Sequence, residues 1–112
     1  MFTQALVTLM VKDLKTSLDF YTTKLGMQVK TNIEGEWIEL ELPGLTLALH
    51  PSHGEISSGT ASVGFSVLQL EQAISDLEKK GLTFTIHEEG FIRLALFKDP
   101  DGYNLYLYEM MG

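Results

Sequence analysis

Two glycine turns 58 residues apart, at Gly44 and Gly102, mark this chain as a duplicated unit. Near its end, Asp99-Pro100-Asp101-Gly102 combines a proline of preset φ, carboxylates that bond neighbouring amides and a glycine free to take positive φ. Leu105 and Leu107 then alternate with Asn104, Tyr106 and Tyr108, the period of a strand with two different faces. The segment Pro43-Gly44, followed by Leu45, Leu47 and Leu49 alternating with Thr46, Ala48 and His50, repeats that plan. A second echo has an offset of 56: Val7, Leu9 and Val11 match Val63, Phe65 and Val67.

The segments between these landmarks keep the same order. A strand over 5–11 leads to Asp13, placed to cap a helix whose stripe is Leu14, Leu18, Tyr21 and Leu25 and whose stop is Gly26. Strands follow over 27–31, 36–42 and 45–50. A linker rich in Ser and Gly occupies 51–60. The order then restarts with a strand over 62–67 and a helix with the stripe Leu70, Ala73, Ile74 and Leu77, closed by Gly81. Strands over 82–87, 91–97 and 103–108 complete it. Each half, 1–54 and 60–112, therefore reads βαβββ. One helix covers only one face of its sheet, so the halves are expected to stand side by side. The predicted fold is a single α+β domain of two tandem βαβββ modules. Its curved, eight-stranded mixed sheet surrounds a concave surface, with the helices outside.

A chain of 112 residues suits one compact domain, and 45% hydrophobic residues suit a globular one. The net charge of -7 argues against nucleic acid and anionic membranes and mildly favours cationic small molecules. The absence of cysteine excludes disulfides and thiolate metal sites. No window approaches the ~20 apolar residues of a membrane span, and Met1-Phe2-Thr3-Gln4 opens no secretory leader, so a cytoplasmic location is expected.

Leu9-Met10-Val11-Lys12-Asp13-Leu14, Ser17-Leu18-Asp19-Phe20-Tyr21 and Leu25-Gly26 resemble the opening signature of the vicinal oxygen chelate superfamily. Phe97-Lys98-Asp99-Pro100-Asp101-Gly102 resembles its closing signature. The group includes glyoxalase I, the extradiol dioxygenases and the bleomycin resistance proteins. The resemblance implies this paired-module fold, while function is left open because the scaffold hosts several chemistries and non-catalytic binding. Metal enzymes of the group place His, Gln or Glu on the first and last strand of each half. Carried over, those positions are Leu6, Ala48, Ser62 and Tyr106. Leucine and alanine cannot coordinate a metal, and a serine hydroxyl or neutral phenol is a poor ligand beside imidazole or carboxylate. No metal or other cofactor is expected.

His50-Pro51-Ser52-His53-Gly54-Glu55 brings three donors into six residues, but Pro51 and Gly54 make it a turn that does not hold them on one face. His87, before Glu88-Glu89-Gly90, reads as a turn residue. If the leucines and valines pack on the helices, the opposite parity faces inward. That set contains Thr8, Met10, Trp37, Glu39, Glu41, Thr46, His50, Ser62, Ser66, Phe91, Arg93, Tyr106 and Tyr108. The candidate ligand-binding residues are Trp37, Glu39, Glu41, His50, Ser62, Arg93, Tyr106 and Tyr108, which combine aromatic faces with a few directional polar groups. Competing with this are a sheet margin facing water for Glu39 and Glu41, simple neutralisation by Arg93, and a dimer interface at Trp37. Three functions stay open: a metal-free small-molecule binder with an aromatic or cationic ligand, a glyoxalase-like lyase, isomerase or dioxygenase, and an interaction protein with no small ligand. A homodimer is expected, because related proteins usually pair and sheet edges invite it.

Overall fold

A computed structural model describes residues 1, 3, 5–52, 54, 62–89 and 92–110, with the side chains of Glu89 and Met110 excepted. It divides into two compact units, Met1–Ser57 and Ser58–Gly112. The first contains β1 (Leu6–Val11), α1 (Leu14–Asp19), β2 (Gln28–Ile33), β3 (Trp37–Leu42) and β4 (Leu45–Pro51). The second contains β5 (Ser62–Ser66), α2 (Leu70–Glu78), β6 (Thr85–Glu89), β7 (Ile92–Lys98) and β8 (Asn104–Met110). The eight strands hydrogen-bond as two four-stranded mixed sheets, ordered β1-β4-β3-β2 and β5-β8-β7-β6. Among the described residues, no helix is long and apolar enough to cross a membrane.

Strand pairing carries the repeat. The parallel pair β1–β4 sets Leu6 opposite Thr46, and the parallel pair β5–β8 sets Ser62 opposite Asn104. These are the offsets of 56 and 58 seen in the sequence. Gly44 and Gly102 both adopt left-handed backbone, with φ of 78° and 87°. In the second turn the Asp99 carboxylate accepts the amides of Asp101 and Tyr103 at 2.9 Å each, which is the local bonding that Asp-Pro-Asp-Gly favours.

In the first unit one sheet face is apolar and covered. Leu9, Val11, Ile38, Leu40, Leu47 and Leu49 are buried on it, and the helix contributes Ser17, Phe20 and Tyr21. Asp13 caps α1 by accepting the amide of Thr16 at 3.1 Å. The helix then departs from a simple α stripe, because Phe20–Lys24 forms one π-helical turn. The extra residue in that turn rotates the chain so that adjacent Phe20 and Tyr21 both enter the core, edge to face at 5.1 Å. Leu14, Leu18 and Leu25, predicted as the buried stripe, are half-buried instead.

In the second unit Leu105, Leu107, Ala95 and Phe97 are buried with Leu70 and Leu82. The N-cap of α2, Gln69, makes no side-chain bond. The Leu70 amide donates instead to Glu109 Oε1 at 2.7 Å, a cap supplied from β8. The strand predicted over 82–87 begins at Thr85, because Leu82 still bonds back to Leu77 as the chain leaves the helix.

Candidate functional site

In the first unit, the face opposite the helix is laid out in rows by the strand register. Leu6 pairs with Thr46, and Thr46 with Glu41. Thr8 pairs with Ala48, and Ala48 with Glu39. Met10 pairs with His50, whose ring meets Trp37 at 5.8 Å in an edge-to-face contact. Alternation on β3 sends Ile38 and Leu40 into the core, which obliges Trp37, Glu39 and Glu41 to project the other way. Trp37, Glu39 and His50 are half-buried there, and Glu41 is exposed. The Trp37 indole donates through Nε1 to Glu39 Oε2 at 3.0 Å, which fixes the ring beside a carboxylate. His50 Nδ1 lies 2.9 Å from its neighbour's carbonyl oxygen on Pro51. The three candidates thus form one cluster of an indole, a carboxylate and an imidazole.

Glu41 stands apart from it, beside a shallow depression of about 280 Å³ lined also by Lys30 and Thr46. Lys30 Nζ reaches Thr46 Oγ1 at 3.4 Å and so brings a positive charge to that end of the face. The negative end is therefore the Glu39 end.

The equivalent face of the second unit carries Ser62, Tyr106 and Tyr108 on one parity, with Tyr106 and Tyr108 5.9 Å apart. Ser62 and Ser66 are exposed, and both tyrosines are half-buried. Tyr106 is opposite Gly64, and its ring lies directly over that glycine, where a Cβ would collide with it. Gly64 went unrecognised in the sequence although a glycine inside a strand is itself a sign of close approach. The register also places Leu96 opposite Tyr106 and Leu94 opposite Tyr108. His87, expected in a turn, is an exposed residue of β6 opposite Leu94.

Arg93 does not join this set. It pairs with Glu109 on the face that packs against α2, so the expectation that it faces the tyrosines is corrected. Its Nη2 donates to Glu71 of α2 at 2.8 Å, and its Nε forms an ion pair with Glu88 at 2.9 Å without hydrogen-bond alignment. The Glu71 hydrogen bond, opposed by desolvation and reinforced by the charges of Glu71, Glu88 and Glu109, raises the Arg93 pKa above its usual value. Ala95 and Phe97 are the buried pair of β7, and Leu94 and Leu96 share the tyrosines' face, which turns Arg93 toward α2.

Of the four positions where metal enzymes of this fold would carry ligands, Leu6 and Ala48 belong to the first unit and Ser62 and Tyr106 to the second. Two are hydrocarbon and two are neutral hydroxyls, a donor set that does not fit a divalent cation. Among the described residues, no three His, Asp or Glu side chains converge as a metal site. His53 and Glu55 of the loop candidate, and Phe91 of the inward set, lie outside the described residues.

The chain belongs to the Glyoxalase/Bleomycin resistance protein/Dioxygenase superfamily, whose model matches residues 3–107. It is 32% identical over 110 residues to YurT, an uncharacterized protein of Bacillus subtilis (strain 168), with 82% of this chain and 87% of YurT covered. Its fold is similar to that of TnmS3, an antibiotic binding protein from Streptomyces sp. CB03234. That match has a TM-score of 0.80 and 19% identity, and covers 98% of this chain and 97% of the other. A lactoylglutathione lyase from Agrobacterium tumefaciens is similar too, at TM-score 0.78 and 16% identity over 93% and 90% of the two chains. One fold thus serves a binding protein and an enzyme, and the side chains must separate the two possibilities.

Proposed function

We propose that this protein binds a small aromatic or cationic molecule without a metal, using Trp37, Glu39 and His50 as its polar aromatic contact. The observation that carries this reading is the half-buried Trp37 ring, held by Glu39 and His50 on a face whose metal positions hold Leu6 and Ala48. Glu41 adds a weaker, exposed charge, and Ser62, Tyr106 and Tyr108 offer the second unit's aromatic surface. The antibiotic-binding TnmS3 supports the same reading by its fold. A lyase or dioxygenase of the glyoxalase type would need donors that the four positions lack. We further propose that the protein acts as a homodimer in the cytoplasm.

Emission of Trp37, the chain's single tryptophan, reports binding without a label. In a screen of planar cations and glutathione conjugates, a ligand that shifts this emission should also raise the melting temperature. Trp37→Ala should weaken binding more than Glu39→Gln, because an aromatic contact is worth ~0.5–2 kcal/mol, whereas a carboxylate still partly open to water gives only salt-screened attraction and Gln keeps an acceptor oxygen. A confirmed ligand that binds Trp37→Ala as well as the parent protein would refute this site.

A further inference from the structure

The cluster around Trp37 has a direction to its hydrogen bonding. The single N–H of the indole is already donated to Glu39 Oε2 at 3.0 Å, so the ring presents aromatic surface and no donor. His50 is oriented by the same kind of constraint. Its Nδ1 lies 2.9 Å from the carbonyl oxygen of Pro51. A carbonyl has no proton to give, so Nδ1 carries the hydrogen, and in the neutral ring Nε2 is then an acceptor. An ionised carboxylate accepts at both oxygens, and Trp37 occupies only Oε2 of Glu39. With the His50 ring neutral, the half-buried aromatic edge is therefore flanked by two acceptors, His50 Nε2 and Glu39 Oε1. In the neighbouring row the hydroxyls of Thr8 and Thr31 can turn either way, and Lys30 is engaged with Thr46. The repeat supplies an internal contrast. At the positions of Trp37, Glu39 and His50 the second unit has Leu94, Leu96 and Tyr108, with no acceptor pair.

We infer that this cluster, granted the small-molecule site proposed above, selects its ligand by N–H donors rather than by positive charge. The ligand class is a flat heteroaromatic bearing amino or amidine groups, its ring against Trp37 and its N–H bonds directed to His50 Nε2 and Glu39 Oε1. A cation without donors gains only screened attraction to a partly hydrated carboxylate. It also covers two half-buried acceptors and leaves them unpaired, which costs more than the bonds themselves return. Sites built around hydrogen bonds accordingly discriminate against analogues that lack the partner group more sharply than against analogues that differ in apolar bulk.

Three acridines separate donors from charge: proflavine is a cation with amino groups, 10-methylacridinium a cation with none, and acridine has neither. Binding is followed by the NMR signal of the single indole N–H and by calorimetry. Proflavine should bind at least about tenfold more tightly than 10-methylacridinium, an amount set by one to two half-buried hydrogen bonds. That preference should fall to about twofold or less in His50→Phe, which keeps a ring edge against Trp37, and likewise in Glu39→Leu. Dispersed amide spectra verify that both variants are folded. If 10-methylacridinium shifts the indole signal and binds as tightly as proflavine, charge selects the ligand and the inference is wrong, although the site stands. A preference that persists in both variants overturns it as well. If no acridine perturbs Trp37, the inference and the site fall together.

Discussion

Replacing Gly64 with alanine should destabilise the protein, and the loss should disappear when Tyr106 is removed. Gly64 has no left-handed backbone, so the alanine would be conformationally welcome. In a strand without a close neighbour it would stabilise by roughly 0.5–1 kcal/mol through chain entropy. Here the added Cβ meets the Tyr106 ring, with the hydroxyl oxygen alone at 2.6 Å. Overpacking of this kind costs about 1–3 kcal/mol. Tyr106 is half-buried and can swing outward, which places the steric cost toward the middle of that range. Subtracting the entropy gain leaves Gly64→Ala less stable by about 1 kcal/mol, or ~4 °C in melting temperature. Urea denaturation of the parent, Gly64→Ala, Tyr106→Ala and the double variant closes the cycle. Gly64→Ala made in the Tyr106→Ala background should be neutral or stabilising, giving a coupling of about 1–2 kcal/mol between the two positions. A coupling below about 0.5 kcal/mol would refute the account of Tyr106 as a ring laid on Gly64.

Glu109→Ala removes the tertiary cap of α2 and should cost about 1 kcal/mol, with faster amide exchange at Leu70, while Glu109→Gln should retain most of the bond. The raised pKa of Arg93 stabilises the fold at any pH below its unfolded value and is lost only as pH rises through the folded one, so this pairing should contribute no pH dependence near neutrality. Elemental analysis of purified protein should find no stoichiometric Zn, Ni, Fe or Mn, and one metal per chain lost on changing Ser62 or Tyr106 would contradict the donor argument. Light scattering should give a dimer mass, since β1, β2, β5 and β6 lie at sheet edges and the β1 residues Leu6, Val7 and Met10 are exposed. A monomer at high concentration would overturn that expectation alone.

Much of the fold was legible in the chain because its signals are local or periodic. The offsets of 56 and 58 reappear as strand register, and Gly44 and Gly102 take the backbone their turns require. Trp37, Glu39 and Glu41 were readable because Glu39 and Glu41 alternate with Ile38, Leu40 and Leu42 on β3, so its two faces differ in solvation and Trp37 falls on the carboxylate side. On β7 the stretch Leu94-Ala95-Leu96-Phe97 is apolar at both parities, and hydrophobicity cannot choose a face. Packing chose it: Ala95 and Phe97 are buried in register with Leu107 and Leu105, and Arg93 follows them to Glu71 on α2. The π turn that buries Phe20 beside Tyr21, the cap from Glu109 to Leu70 across 39 residues and the Tyr106 ring over Gly64 belong to the same category. Each depends on which groups fill the same space, and sequence spacing carries no record of that.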